Sequence, residues 1–91
     1  MAAEVLLYVA ASAVALWGVA HLVATRSVVA GFGAISRDNR RVLTMEWLAE
    51  GMTMLFVAAL VAAVTLSAGA DDSVALLVYR LAAGLLSLIH I

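Results

Sequence analysis

No cysteine and no proline occur in this 91-residue chain, and glycine appears only six times. Without cysteine there are no disulfide scaffolds, thiol redox sites or cysteine-ligated zinc and iron–sulfur centres. Without proline, and with so little glycine, a β fold rich in tight turns is disfavoured. Charge is scarce as well. Five basic and six acidic side chains make up 12% of the sequence, against about 25% in an ordinary soluble domain. A net charge of -1 gives no reason to expect a nucleic-acid partner. The bulk of the chain is apolar, 67% by count, with a mean hydropathy of +1.17. A soluble domain of this size buries only about 60–65% of its surface, so it would leave much of that apolar surface in water. Disorder requires the opposite composition, with low hydrophobicity and high charge. The composition therefore points to a small helical membrane protein.

The few charges bracket long apolar runs. Val5 to Thr25 is a stretch of 21 residues with no fixed charge, Gly51 to Ala70 one of 20, and Ser73 to Ile91 one of 19 broken only by Arg80. At 1.5 Å per residue, about 20 residues cross a 30 Å hydrocarbon core. Three spans are predicted: 5–25, 46–68 and 74–91, joined by a basic connection over 26–45 and a short turn over 69–73. The third span carries the cost of Arg80, about 2.5–3.5 kcal/mol at a helix centre, against roughly 3–6 kcal/mol returned by its Leu, Ile and Val residues. It inserts with little to spare. A cleaved signal peptide needs a basic start and an apolar core of about 7–15 residues. Met-Ala-Ala-Glu supplies an acid instead, and the run that follows is longer.

Orientation follows from the arginines. Arg26, Arg37, Arg40 and Arg41 lie in the 26–45 connection against a single Asp38, while the other side carries Glu4 and Asp71-Asp72. Basic residues of short loops stay in the cytoplasm, so the N-terminus is expected outside. Within the connection, Val28, Val29, Phe32 and Ile35 are spaced for a short interfacial segment, and Ser36, Asp38 or Asn39 is placed to cap the next helix, which then runs through Arg40-Arg41 into the membrane at Trp47. Trp47 is expected in the inner aromatic belt and Tyr8 in the outer one. Arg37, Arg40 and Arg41 would attract anionic lipid at about 1 kcal/mol each, although topology alone accounts for them.

Of the polar residues inside the spans, His21, Glu46, Glu50 and Arg80 carry the functional question. Glu46 and Glu50 are four apart, on one helix face at about 6 Å. Two carboxylates that close, partly out of water, cannot both stay ionised cheaply. They form either a proton-accepting pair or a cation site, unless Glu46 snorkels to Arg40 or Arg41 and leaves Glu50 alone inside. His21 lies about four residues before the inner end of its span, and Glu50 about four after the inner end of the next. Both sit roughly 6 Å below the inner interface. A His21–Glu50 contact is therefore possible, with Trp17 one turn away as a cover; the alternative is a histidine that merely hydrogen-bonds within the bundle. Arg80 would snorkel outward towards Asp72 or face inward towards Glu50, roughly 13 Å away along the bundle. His21, Glu46 and Glu50 do not match the Glu-x-x-His pattern of di-iron bundles, and no metal or other cofactor is expected. Gly31-x-Gly33 is not a nucleotide fingerprint. Small residues such as Ala11, Ala15, Gly18, Ala58 and Ala62 are helix-packing signals.

The block Gly31-Phe-Gly-Ala-Ile-Ser-Arg-Asp-Asn-Arg-Arg-Val-Leu-Thr-Met-Glu-Trp-Leu-Ala-Glu-Gly51, with Trp17-Gly-Val-Ala-His21-Leu before it, resembles a group of small bacterial membrane proteins whose layout is similar to four-helix, DoxX-like proteins. The resemblance implies an all-α transmembrane bundle of four antiparallel helices in a bacterial inner membrane, and it transfers no activity. On that layout the three spans are the first three of four, and the chain stopping at Ile91 reads as a C-terminal truncation. The final Leu-Leu-Ser-Leu-Ile-His-Ile also resembles a translated sequencing-adaptor read-through, in which case the last five to seven residues are not native. His90 is therefore left out of the site.

The leading functional expectation is a membrane-embedded binding or accessory protein rather than an enzyme. Its polar pocket near the cytoplasmic face would consist of His21, Glu50 and Glu46, and its ligand would be a quinone, a lipid head group or a partner helix. The lipid bilayer is the expected environment, with other membrane subunits or further copies of the chain as possible partners. One alternative is a proton-transfer enzyme or transporter subunit using His21 and Glu50. The other is a structural subunit whose polar residues only hold helices together.

Overall fold

The computed structural model describes residues 2–89, and among these there are three α-helices and no strand: α1 (Ala2–Ala30), α2 (Arg37–Ala68) and α3 (Ser73–Ile89). The helices form where continuous apolar sequence meets short capping signals. Ser36 is extended (φ -62, ψ 157), and its hydroxyl accepts the Asn39 N–H at 3.1 Å, which starts α2. The Gly69 N–H donates to the Thr65 carbonyl at 3.1 Å, and its positive φ of 83 turns the chain out of α2. The Asp72 carboxylate then accepts the N–H groups of Val74 (3.0 Å) and Ala75 (3.1 Å), satisfying two of the open donors of α3.

The spans drawn from charge are not the helix boundaries. α1 continues through Arg26 to Ala30 and α2 already begins at Arg37, so only 31–36 of the basic connection lies outside a helix. Ser36 is the physical reason, because its cap lets the arginine-rich segment wind as the first turns of α2. Val28 and Val29 belong to α1 while Phe32 and Ile35 sit in the turn, so there is no separate interfacial helix. Of the third span, residues 90–91 lie outside the described residues, as does His90 itself.

α1 and α2 are 29 and 32 residues long and apolar enough to cross a membrane, whereas α3 has 17. Residues rising along α1 meet residues falling along α2, so the pair is an antiparallel hairpin. α2 is the middle element. It packs on α1 and on α3, while α1 and α3 share no close backbone approach among the described residues. The result is a slender body, 51 × 19 × 18 Å.

Between the helices sit mostly small residues: Ala11, Gly18, Gly51, Ala58, Ala75 and Ala82 are buried, joined by Val29, Val57 and Met54, of which Met54 at 2% exposure is the largest side chain fully enclosed among the described residues. The large aliphatics point outward, with Leu16 71%, Leu66 77% and Val23 78% exposed. At the centre of the α1–α2 crossing the two backbones touch. A Cβ on Gly18 would lie 2.9 Å from the Gly51 carbonyl oxygen, and one on Gly51 3.0 Å from that of Gly18. This contact decides which faces of α1 and α2 look at each other, and so it places the polar residues.

Candidate functional site

His21 is one turn beyond Gly18 on α1, and Glu50 immediately precedes Gly51 on α2. The glycine crossing therefore brings them together, with His21 Nε2 3.5 Å from Glu50 Oε1, the histidine buried and the carboxylate half-buried. This is ion-pair distance, about 0.7 Å longer than a short charge-assisted hydrogen bond.

The other ring nitrogen is committed. His21 Nδ1 lies 2.8 Å from the Trp17 carbonyl oxygen. A carbonyl has no proton to give, so Nδ1 carries the hydrogen and donates it. Nε2 is then left facing the Glu50 carboxyl group across the helix crossing.

Two tryptophans complete the site. The Trp47 ring stacks on the imidazole with centroids 4.6 Å apart and planes at 25°, and Trp17 lies 6.0 Å away at 55°. An open cleft of about 400 Å³ is lined by Trp17, Ala20, His21, Ala24, Trp47 and Glu50. Two aromatic faces and a pair of small residues form its walls, and the His21–Glu50 pair forms its polar end. The Trp47 indole Nε1–H is buried and, among the described residues, has no hydrogen-bond partner.

The four residues singled out in the sequence part ways here. His21 and Glu50 meet. Glu46 does not join them: it is exposed, does not line the cleft, and makes no ion pair with Arg40 or Arg41 among the described residues. Arg80 is exposed on α3, and within the described residues it has no ion pair with Asp72 or Glu50. His21, Glu46 and Glu50 do not converge into a three-ligand set, and no other cluster of that kind occurs among the described residues. Trp47 was assigned to the interfacial belt from its position near a span end; instead its ring packs inward on His21. The usable signal was spacing, since Trp47 and Glu50 are three apart and share a helix face. The sequence reading also overlooked a polar tie between α2 and α3, Thr65 Oγ1 to Tyr79 Oη at 2.6 Å. Comparisons with protein-family models, with curated proteins and with solved structures return no match for this chain.

Proposed function

We propose that this is a small integral membrane protein whose His21–Glu50 pair is the polar end of a lateral binding cleft for a small molecule with a flat, hydrogen-bonding head group. A quinone is the chemical class that fits best. Its ring suits a cleft lined by Trp17 and Trp47, and a carbonyl oxygen would meet the polar His21–Glu50 end. The observation that carries this reading is the 3.5 Å His21–Glu50 contact beneath the stacked Trp47 ring.

Membrane residence is supported by the inside-out distribution of side-chain size. The most apolar stretches of α1 and α2 are only 17% and 28% buried, whereas the core helix of a soluble protein would be mostly enclosed. Small residues at the crossing suit helix association in lipid, where van der Waals packing replaces the hydrophobic drive. Arg26, Arg37, Arg40 and Arg41 at one end, opposed by Glu4, Asp71 and Asp72 at the other, support an orientation with the N-terminus outside. Together with the resemblance to bacterial proteins, this favours a bacterial inner membrane. In that membrane α3 serves as a third span, and the hairpins belong to a four-helix, DoxX-like bundle.

The test uses the protein in lipid nanodiscs. A short-chain quinone should quench Trp47 fluorescence saturably, and H21A or E50Q should abolish saturation while R80Q leaves it intact. Quenching that is non-saturable in the wild type, or that survives H21A, would overturn the assignment. A second reading, proton transfer, is favoured by the 3.5 Å approach of Nε2 and Oε1. It predicts a carboxyl infrared band from Glu50 that appears or vanishes as the pair turns over, and a static band would sink it.

A further inference from the structure

A second cleft, of about 480 Å³, lies at the end of the α1–α2 hairpin beside the 31–36 turn. Arg26 of α1 and Arg40 of α2 both line it, together with the apolar Leu22, Val23 and Val29. Among the described residues no carboxylate lines it. Neither guanidinium has an ion pair among the described residues, and the one hydrogen bond there from Arg40 is a 3.4 Å contact to the Gly33 carbonyl. Two cations sharing one cleft repel each other unless an anion lies between them. Each also keeps unused donors, because a guanidinium has five. The hydroxyls nearby are spent: Thr25 donates to the His21 carbonyl and Thr44 to the Arg40 carbonyl, both at 2.8 Å. Recognition at this cleft therefore belongs to the two planar guanidinium forks, whose geometry matches phosphate oxygens.

We propose that the Arg26–Arg40 cleft binds the phosphate of an anionic membrane phospholipid, with one acyl chain lying along Leu22, Val23 and Val29. This rests on the membrane reading above. On that reading the cleft sits at the cytoplasmic interface, where anionic lipids concentrate and each basic side chain adds to the attraction. An apolar wall continuous with the exposed flank of α1 suits a tethered phosphate, since a free anion would gain nothing from it. Two cations without an acid also select against a choline head group, whose own positive charge would approach them.

The test is lipid retention by native mass spectrometry. Protein in mild detergent is offered equal amounts of phosphatidylglycerol and phosphatidylcholine. The wild type should prefer phosphatidylglycerol by roughly tenfold to thirtyfold, the scale set by two interfacial basic residues. R26Q/R40Q should lose that preference. R37Q/R41Q removes the same charge from the same end but outside the cleft, and it should keep most of it. All four positions are exposed, and matching helical circular dichroism checks that both variants fold. Equal losses in the two double variants would reduce the effect to general charge attraction and overturn the site, as would no loss in either. Displacement of the lipid by millimolar inorganic phosphate, with phosphate retained in its place, would assign the cleft to a free anion and overturn the lipid. Alkaline extraction separates the two ideas: wild type that stays in the membrane pellet but shows no lipid preference refutes this site alone, whereas wild type in the soluble fraction refutes the membrane reading as well.

Discussion

Replacing Gly18 with alanine puts a methyl carbon 2.9 Å from the Gly51 carbonyl oxygen, 3.1 Å from Met54 Cβ and 3.3 Å from Leu55 Cγ. The nearest of these atoms is backbone in the facing helix, so it cannot rotate away, and α1 and α2 must separate by about half an ångström to restore ordinary contact. Overpacking of this kind costs about 1–3 kcal/mol, set against a gain of at most about 1 kcal/mol from exchanging glycine for alanine within a helix. Gly51→Ala meets the Gly18 carbonyl at 3.0 Å and Leu22 side-chain carbons at 2.9 and 3.0 Å, so its cost is of the same order. Both substitutions demand the same separation. The double variant should therefore cost less than the sum of the two, as neighbouring sites that share one relaxation do. Gly84→Ala on α3 meets nothing within 4 Å among the described residues and serves as the control, neutral or slightly stabilising. The assay is reversible unfolding in bicelles or mild detergent, with Trp47 fluorescence as a second readout, because separating the helices pulls its ring off His21. If G18A matches G84A in stability and leaves the fluorescence unchanged, the crossing is not limited by backbone contact and the placement of the site on it fails.

Other predictions follow from single contacts. Thr65 Oγ1 gives its one proton to the Val61 carbonyl at 2.7 Å, so Tyr79 must donate to Thr65; Tyr79→Phe should cost only about 0.6 kcal/mol, the usual worth of a polar contact between membrane helices. Thr65→Val should cost more, because it strands the tyrosine hydroxyl, and the reverse ranking in an unfolding titration would refute the donor assignment. Asp72→Ala removes the acceptor for two N–H groups of α3 and should cost about 1 kcal/mol, visible as faster amide exchange at Val74 and Ala75; unchanged exchange would discard the cap. Glu50→Ala should cost about 1–3 kcal/mol by leaving His21 Nε2 without its carboxylate, with Glu50→Gln milder and Glu46→Ala near neutral in the same unfolding experiment. An equal effect at positions 46 and 50 would contradict the separation of the two carboxylates.

Depth along the helices was legible in the sequence. His21 and Glu50 could be matched at one level because the 1.5 Å rise accumulates predictably from the charged ends of each run. Capping was legible in part: Ser36 stood among the candidates for starting α2, while Asp72 was read only as a marker of topology although it directly precedes an apolar run. The run of α2 through Arg40-Arg41 follows from the Ser36 cap, whereas the extension of α1 through Arg26 to Ala30 has no such signal. Exposed arginines cost a helix almost nothing, and Ser36 supplies the start.

Composition and order alone determined that the chain is helical, that two of its runs are long and apolar enough to cross a membrane, and that His21 and Glu50 lie at one level. They could not determine rotation about the helix axes. Helices that are apolar all round carry no stripe to say which face turns inward, so Glu46, Glu50, Trp47 and Arg80 each had more than one place to point. Tertiary structure decided that at one spot. Gly18 and Gly51 are the residues of α1 and α2 whose backbones touch, and this close approach turns His21, Glu50 and Trp47 towards each other while it leaves Glu46 outside. Arg80 lies outside as well, exposed on a helix whose close backbone approach, among the described residues, is to α2.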